Sequence, residues 1–152
     1  MIKIELMSKY HVSQIAALEK RCFSDPWSEN SISYELTNPL SVWLVALDKE
    51  KVLGYIGSQA VLDSADMMNL AVDPDFRKQG IGRSLVDALE KHLVPKGVTM
   101  LLLEVRVSNE PARALYETLG FSYVGKRTGY YSNPKEDAMI MRKELHHEDP
   151  CN

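Results

Sequence analysis

Apolar and polar residues alternate over positions 2–6, which predicts a short strand. Val12, Ile15, Ala16, Leu18 and Glu19 then follow a helical spacing and predict a first helix. Asp25-Pro26-Trp27-Ser28 breaks that pattern, and Ser28 is a plausible N-cap for a second, short helix through Leu36, ended by Asn38-Pro39. Residues 42–47 and 52–62 are apolar runs of strand length, joined as a hairpin through Asp48-Lys49-Glu50-Lys51. A fourth strand is predicted over 67–72 and a helix over 82–93, the latter on the stripe Leu85, Val86, Leu89, Leu93. Pro95-Lys96-Gly97 marks a turn and 100–107 a fifth strand. The helix predicted over 110–119 has Asn109 as N-cap, Pro111 in its first turn and Gly120 as its stop. Strands over 123–129 and 138–142 complete the sheet of a mixed α/β domain, expected to span 1–145, with 146–152 as a disordered polar tail. No repeat, linker or low-complexity segment interrupts it.

Composition narrows the class. A chain of 152 residues, 45% hydrophobic, can bury a single core. No apolar run approaches the ~18 residues of a membrane span, and Met-Ile-Lys-Ile-Glu lacks the apolar region of a secretory signal. Cys22 and Cys151 lie far apart and are expected as free thiols of a reducing compartment, which points to the cytoplasm. His11, His92, His146 and His147 have no metal-ligand spacing, so no metal is expected. A net charge of −3 argues against broad nucleic-acid binding and leaves a basic peptide partner compatible.

The segment from Asn69 to Leu85 reads as a strand end, an Asp73-Pro74 turn, a glycine loop and a helix start. Gly80 and Gly82 at a helix entrance leave backbone N–H groups bare, the helix adds partial positive charge, and Arg77, Lys78 and Arg83 add whole charges. That combination is a pyrophosphate cradle, against the plainer alternative of a glycine-rich turn. It is not a P-loop, whose string is missing. Nor is it the dinucleotide fingerprint, whose third glycine position falls on Leu85.

Glu104 interrupts an otherwise apolar strand, where a carboxylate must be paired, wet or functional; Arg106 or another cation would satisfy it. Tyr116 lies on the helical stripe Ala112, Leu115, Tyr116, Leu119, a spacing that also suits a core aromatic, and Asn109 can serve as a cap alone.

The string Arg77-x-x-Gly80-x-Gly82 after Val-Asp-Pro resembles the acetyl-coenzyme A loop of the GNAT superfamily of N-acetyltransferases. Asn109, Ala112, Leu115, Tyr116, Gly120 and Phe121 are similar to its C-terminal signature. Three further strings resemble, more narrowly, the bacterial ribosomal-protein-alanine N-acetyltransferases of the RimI type: Phe23-Ser24-Asp25-Pro26-Trp27-Ser28-Glu29, Leu103-Glu104-Val105-Arg106-x-Ser108-Asn109, and Tyr130-Tyr131 followed by Glu136-Asp137-Ala138-Met139-Ile140-Met141. The likeness runs over 2–145. It implies a mostly antiparallel seven-stranded sheet with about four helices. It also implies acetyl-CoA as donor and the N-terminal alanine of a small-subunit ribosomal protein, a basic partner, as acceptor. By resemblance, Leu70, Ala71, Val72, Arg77, Lys78, Gln79, Gly80, Ile81, Gly82, Arg83 and Ser84 hold the cofactor with Asn109, Ala112 and Tyr116, Asn109 on the pantetheine arm. Trp27, Glu29, Asn69, Tyr130 and Tyr131 are then the acceptor-binding residues.

The chemistry agrees. An α-amine titrates at about 7.7–8.0, against about 10.4 for lysine, so one moderate base suffices, and Glu104 can act directly or through a water. A coenzyme A thiolate resembles a cysteine thiolate, pKa about 8.5, and a phenol of about 10 can protonate it; the resemblance gives that role to Tyr116. The Val72 N–H is the expected oxyanion donor. Neither cysteine is expected to take part. Glu29, Glu35, Asp63, Asp66, Glu136 and Asp137 are expected to meet basic residues of the acceptor. Two other readings stay open: a small-molecule amine acetyltransferase, and a non-catalytic acyl-CoA-binding module. The aromatic segments weigh against the first, and Glu104 with Tyr116 against the second.

Overall fold

The structure, a computed structural model, describes residues 1–132 and 134–145. The sequence readings for His146, His147, Cys151 and the tail lie outside the described residues. The elements in chain order are β1 (Ile2–Leu6), α1 (Val12–Cys22), α2 (Glu29–Glu35), β2 (Ser41–Asp48), β3 (Lys51–Val61), β4 (Ser64–Val72), α3 (Ile81–Leu93), β5 (Met100–Arg106), α4 (Glu110–Thr118), β6 (Ser122–Tyr131) and β7 (Glu136–Glu144). They build one seven-stranded sheet of order β1-β2-β3-β4-β5-β7-β6. Every pairing is antiparallel except β4 with β5.

Every predicted helix and strand is present, and the differences are at their ends. β4 begins at Ser64 because Leu62 adopts a left-handed φ of 59°, which closes a tight turn and carries the β3–β4 ladder out to Val61↔Ser64. A branched apolar residue gives no warning of that conformation. β6 runs on to Tyr131 and β7 starts at Glu136, so Tyr130 and Tyr131 are strand residues.

Each face of the sheet carries its own core. On one, the α3 stripe Leu85, Leu89 and Leu93 is fully buried against Leu44, Ile56 and Leu101. On the other, Ile15 of α1 and Ile32 of α2 pack on Trp43, Val45 and Tyr55. Each fully buried aliphatic side chain contributes about 1.5–3 kcal/mol, so helical and strand periods are matched by burial on both faces. Gly57 is required by a close approach: a Cβ there would overlap the Trp43 indole that lies across it.

The sheet opens where β4 and β5 meet. Their parallel ladder joins Ser64↔Met100, Ala65↔Leu101 and Asp66↔Leu102, and among the described residues it goes no further. Directly beyond, β4 bulges at Met68, since Ser58 faces Met67 while Gly57 faces Asn69. A bulge bends its strand and increases local twist, and here it separates β4 from β5. The Asp73 N–H bonds the Leu53 carbonyl at 2.7 Å. Amides alternate in direction along a strand, so the Val72 N–H points the other way, into the opening. A cleft at the carboxyl ends of neighbouring strands is the usual ligand position in sheets covered by helices.

Candidate active site

The cleft is floored by the first turn of α3. Gly80 caps that helix with φ of 81° and offers no side-chain hydrogen bond. The Ser84 N–H bonds the Gly80 carbonyl at 3.0 Å. The amides of Ile81, Gly82 and Arg83 therefore have no partner within the helix. Nothing lies within 4 Å of a Cβ built at Gly80, and one at Gly82 reaches only Leu70 and Val72, at 4.0 Å. A bare, unobstructed set of amides at a positive helix end fits a pyrophosphate. The cations are arranged differently from the sequence expectation. Arg77 Nε donates to the Val72 carbonyl at 3.2 Å and its Nη2 to Cys22 Sγ at 3.6 Å, while Arg83 Nη2 donates to the Thr118 carbonyl at 3.0 Å. Both guanidinium groups lie against backbone carbonyls. Lys78 and Gln79 are exposed beside the loop.

Across the cleft, β5 presents Glu104, whose Oε1 lies 3.0 Å from Arg127 Nε on β6. The sequence reading left Arg106 or another cation as the partner. Arg106 is committed elsewhere, to Glu136 at 3.3 Å and to the Ser132 and Pro134 carbonyls at 2.9 Å. Arg127 could be named from sequence only with the β6–β7 register in hand. Its guanidinium also lies 5.6 Å from the Tyr130 ring centre, and Tyr130 and Tyr131 meet edge to face at 5.0 Å. The Glu104 carboxylate beside the Tyr130 hydroxyl holds its pKa above the ordinary value. Burial, then the Glu104 charge, pushes Tyr131 up to about 12. Burial, then Tyr131, pushes Tyr116 up to about 12. Glu104, Tyr130, Tyr131 and Tyr116 thus form one electrostatically linked group, with all three phenols protonated at neutral pH. Tyr116 is half-buried and packs edge-on against Phe121 at 5.8 Å, so it combines a core contact with a place beside the cleft. Asn109 uses Oδ1 to cap α4 through the Ala112 N–H at 3.2 Å.

The third wall is aromatic. Trp27 meets Trp43 edge-on at 5.3 Å, and Trp43 stacks on Tyr55 at 5.8 Å. A shallow pocket of about 420 Å³ opens here between Trp27, Asn30, Ser31, Tyr34 and Glu35. Beneath it lies a residue to which sequence reading assigned only a place on the α1 stripe. Glu19 is fully buried and accepts hydrogen bonds from the Tyr55 hydroxyl, from Asn69 Nδ2 at 2.6 Å and from the Trp27 N–H at 3.3 Å. Burial raises its pKa, and these bonds oppose the shift. A carboxylate on a buried helical stripe was the available signal.

Several sequence expectations are corrected here. Glu35 is buried and bound to Gln59, Asn38 and Ser41, so it is no free acid. Glu136 is tied to Arg106 and the Ser108 N–H, and Asp137 to the Gly129 N–H at 2.7 Å and to Lys126 at 3.9 Å. Asp63 sits at the β3–β4 turn, the far end of β4 from the cleft. Only Glu29 and Asp66 of the expected set stay exposed near the walls, Asp66 close enough for its charge to act on Tyr130. Cys22, set aside from sequence because of its segment, reaches the cleft: its Sγ lies 4.0 Å from the Val72 carbonyl, because α1 crosses the end of β4.

The sequence pattern of the acetyltransferase (GNAT) family matches residues 12–121. The [ribosomal protein bS18]-alanine N-acetyltransferase of Escherichia coli strain K12 is 40% identical over 140 residues, covering 90% of this chain and 89% of its own. The enzyme of that name from Salmonella typhimurium is 39% identical over 141 residues, covering 91% and 94%. The crystal structure of the ribosomal-protein-S18-alanine N-acetyltransferase from Escherichia coli superposes with a TM-score of 0.87 at 34% identity, over 99% of this chain and 97% of that one. Arabidopsis thaliana NAA60, crystallised with a bisubstrate analogue, shares the fold with a TM-score of 0.87 at 17% identity, over 96% of this chain and 100% of that one. With the family pattern covering most of the chain and these relatives spanning nearly all of it, the protein belongs to the acetyltransferase (GNAT) family.

Proposed function

We propose that the protein transfers an acetyl group from acetyl-CoA to the N-terminal α-amine of a protein, the acceptor being the N-terminal alanine of a basic small-subunit ribosomal protein in the cytoplasm. The observation that carries this reading is the 40% identity, over nine-tenths of both chains, to an enzyme named for that reaction on bS18. The domain is taken as 1–145.

The amides of Ile81, Gly82 and Arg83, with Gly80 giving access, would hold the pyrophosphate. Leu70, Ala71 and Val72 on β4 would line the cofactor's path with Ala112 and Tyr116 of α4. Lys78, Gln79, Ser84, Arg77 and Arg83 would flank the phosphates, the two arginines by releasing the carbonyls they now hold. Asn109, already a helix cap, would meet the pantetheine arm only through its remaining amide donors. Bound acetyl-CoA supplies an activated acyl group as a thioester. The Val72 N–H would be the donor to the carbonyl oxygen of that group. Glu104 removes a proton from the acceptor amine, directly or through a water, and Arg127 holds the carboxylate in place. Tyr116, protonated at neutral pH, would be the proton source for the coenzyme A sulfur. Trp27, Glu29 and Asn69 on one side and Tyr130 and Tyr131 on the other bound a groove for the acceptor's first residues. An alanine-initiated peptide, acetyl-CoA and mass spectrometry of the product test the reading. A single acetyl group on the α-amine supports it. Turnover only with free amines favours a small-molecule acetyltransferase on the same fold.

A further inference from the structure

We infer that Glu19 is a positioning residue of the acceptor site, orienting the Asn69 side-chain amide so that its oxygen faces the incoming amine. The inference rests on the acceptor reading above. Glu19 lies on α1, is fully buried, and takes donors from three elements: Tyr55 on β3, Asn69 on β4 and the backbone of Trp27 in the loop after α1. An ionised carboxylate can only accept hydrogen bonds. Asn69 Nδ2 sits 2.6 Å from the carboxylate, so Oδ1 is the end of the amide that Glu19 does not hold. Among the described residues no donor reaches that oxygen, and Asn69 is half-buried at the rim rather than sealed. Its place is defined by the sheet: Trp43, Gly57 and Asn69 are cross-strand neighbours, and Trp27 stands edge-on against Trp43. Asn69 is also the first residue beyond the bulge, on the stretch of β4 that ends at Val72.

An outward Oδ1 is an acceptor, and the acceptor molecule's α-amine is a donor whose lone pair must stay free for the reaction. One N–H of that amine bonds Oδ1, the nitrogen is oriented, and the hydrogen bond from Nδ2 to Glu19 strengthens it by polarising the amide. The same carboxylate anchors the Trp27 backbone, so both parts of one groove wall hang from a single buried group. Neutral Gln at position 19 would offer donors of its own. Asn69 would then turn its oxygen inward and present a second donor to the amine, which is the wrong polarity.

Steady-state kinetics with an alanine-initiated, arginine-containing peptide test this in the full chain, comparing wild type, Glu19→Gln, Asn69→Ala and the double variant. Each single change is expected to raise the peptide KM about tenfold, the worth of one hydrogen bond, with acetyl-CoA affinity by calorimetry unchanged. The double variant is expected to be no worse than either single one, because both remove the same bond. A purely structural Glu19 would lower the melting temperature without singling out the peptide KM. A wild-type peptide KM in Glu19→Gln, or independent effects that multiply in the double variant, would overturn the inference. Should Glu19→Gln melt below the assay temperature, Asn69→Ala carries the test, since it leaves the carboxylate with Tyr55 and Trp27; an unchanged peptide KM there is equally fatal. If the wild-type chain does not acetylate the peptide at all, the acceptor reading itself fails, and this inference with it.

Discussion

Replacing Glu104 by glutamine keeps the side chain's size while removing its basicity. Glu104→Gln is expected to lower turnover roughly 10²–10⁴-fold with acetyl-CoA affinity unchanged. The loss should shrink above pH of about 8, where the α-amine is already neutral. A fully active variant at neutral pH would leave Glu104 only its pairing with Arg127. Tyr116→Phe makes a separate prediction. The phenol has a folded pKa of about 12, against about 10 in an unfolded chain. The folded protein therefore binds this proton more tightly. The resulting stability is complete below the unfolded value and is lost as pH rises through the folded one. Tyr131, also at about 12, acts in the same sense. Tyr116→Phe should thus slow the chemical step, leave the neutral-pH melting temperature nearly unmoved, and flatten alkaline destabilisation between pH of about 10 and about 12. A large drop in melting temperature at neutral pH would assign Tyr116 to the core alone.

The start of α3 makes the element-scale prediction. Because a Cβ at Gly82 meets only ordinary contacts, a larger side chain there leaves the fold intact and fills the cradle from outside. Gly82→Leu should abolish acetyl-CoA binding by calorimetry while the melting temperature stays near wild type; unchanged affinity would reject the cradle. The glycine turn and the helix start were legible in sequence, since glycine spacing, a preceding strand and an amphipathic helix are all local signals, whereas the directions of Arg77 and Arg83 were not. The helices were legible for the same reason: Ser28 and Asn109 cap where their side chains predict. What escaped was set by partners distant in sequence. Arg127 reaches Glu104 only through the β6–β7 ladder, Glu35 of α2 is satisfied by Gln59 of β3, and α1 carries Cys22 to the end of β4. The bulge at Met68 has no glycine to announce it, yet it opens the cleft.

At the scale of the whole molecule, the prediction concerns the acceptor. Of the six acids expected beside the groove, Glu29 and Asp66 stay exposed there. Peptides with arginines after the first alanine should still be preferred, and their advantage in kcat/KM should fall as salt rises, because exposed charges are screened. Acetylation should occur on the α-amine and spare lysine side chains; acetyl-lysine in the product would reject the acceptor. The aromatic wall has a further, optical consequence. Both tryptophans of the chain belong to it, Trp43 enclosed against Tyr55 and Trp27 half-exposed at the rim. Intrinsic emission excited at the indole band therefore reports on one face of the groove alone. A peptide docking against Trp27 should shift that emission, whereas a ligand seated only on α3 should leave it still. The protein carries its own fluorescent probe of acceptor occupancy, and binding order can be followed without a label.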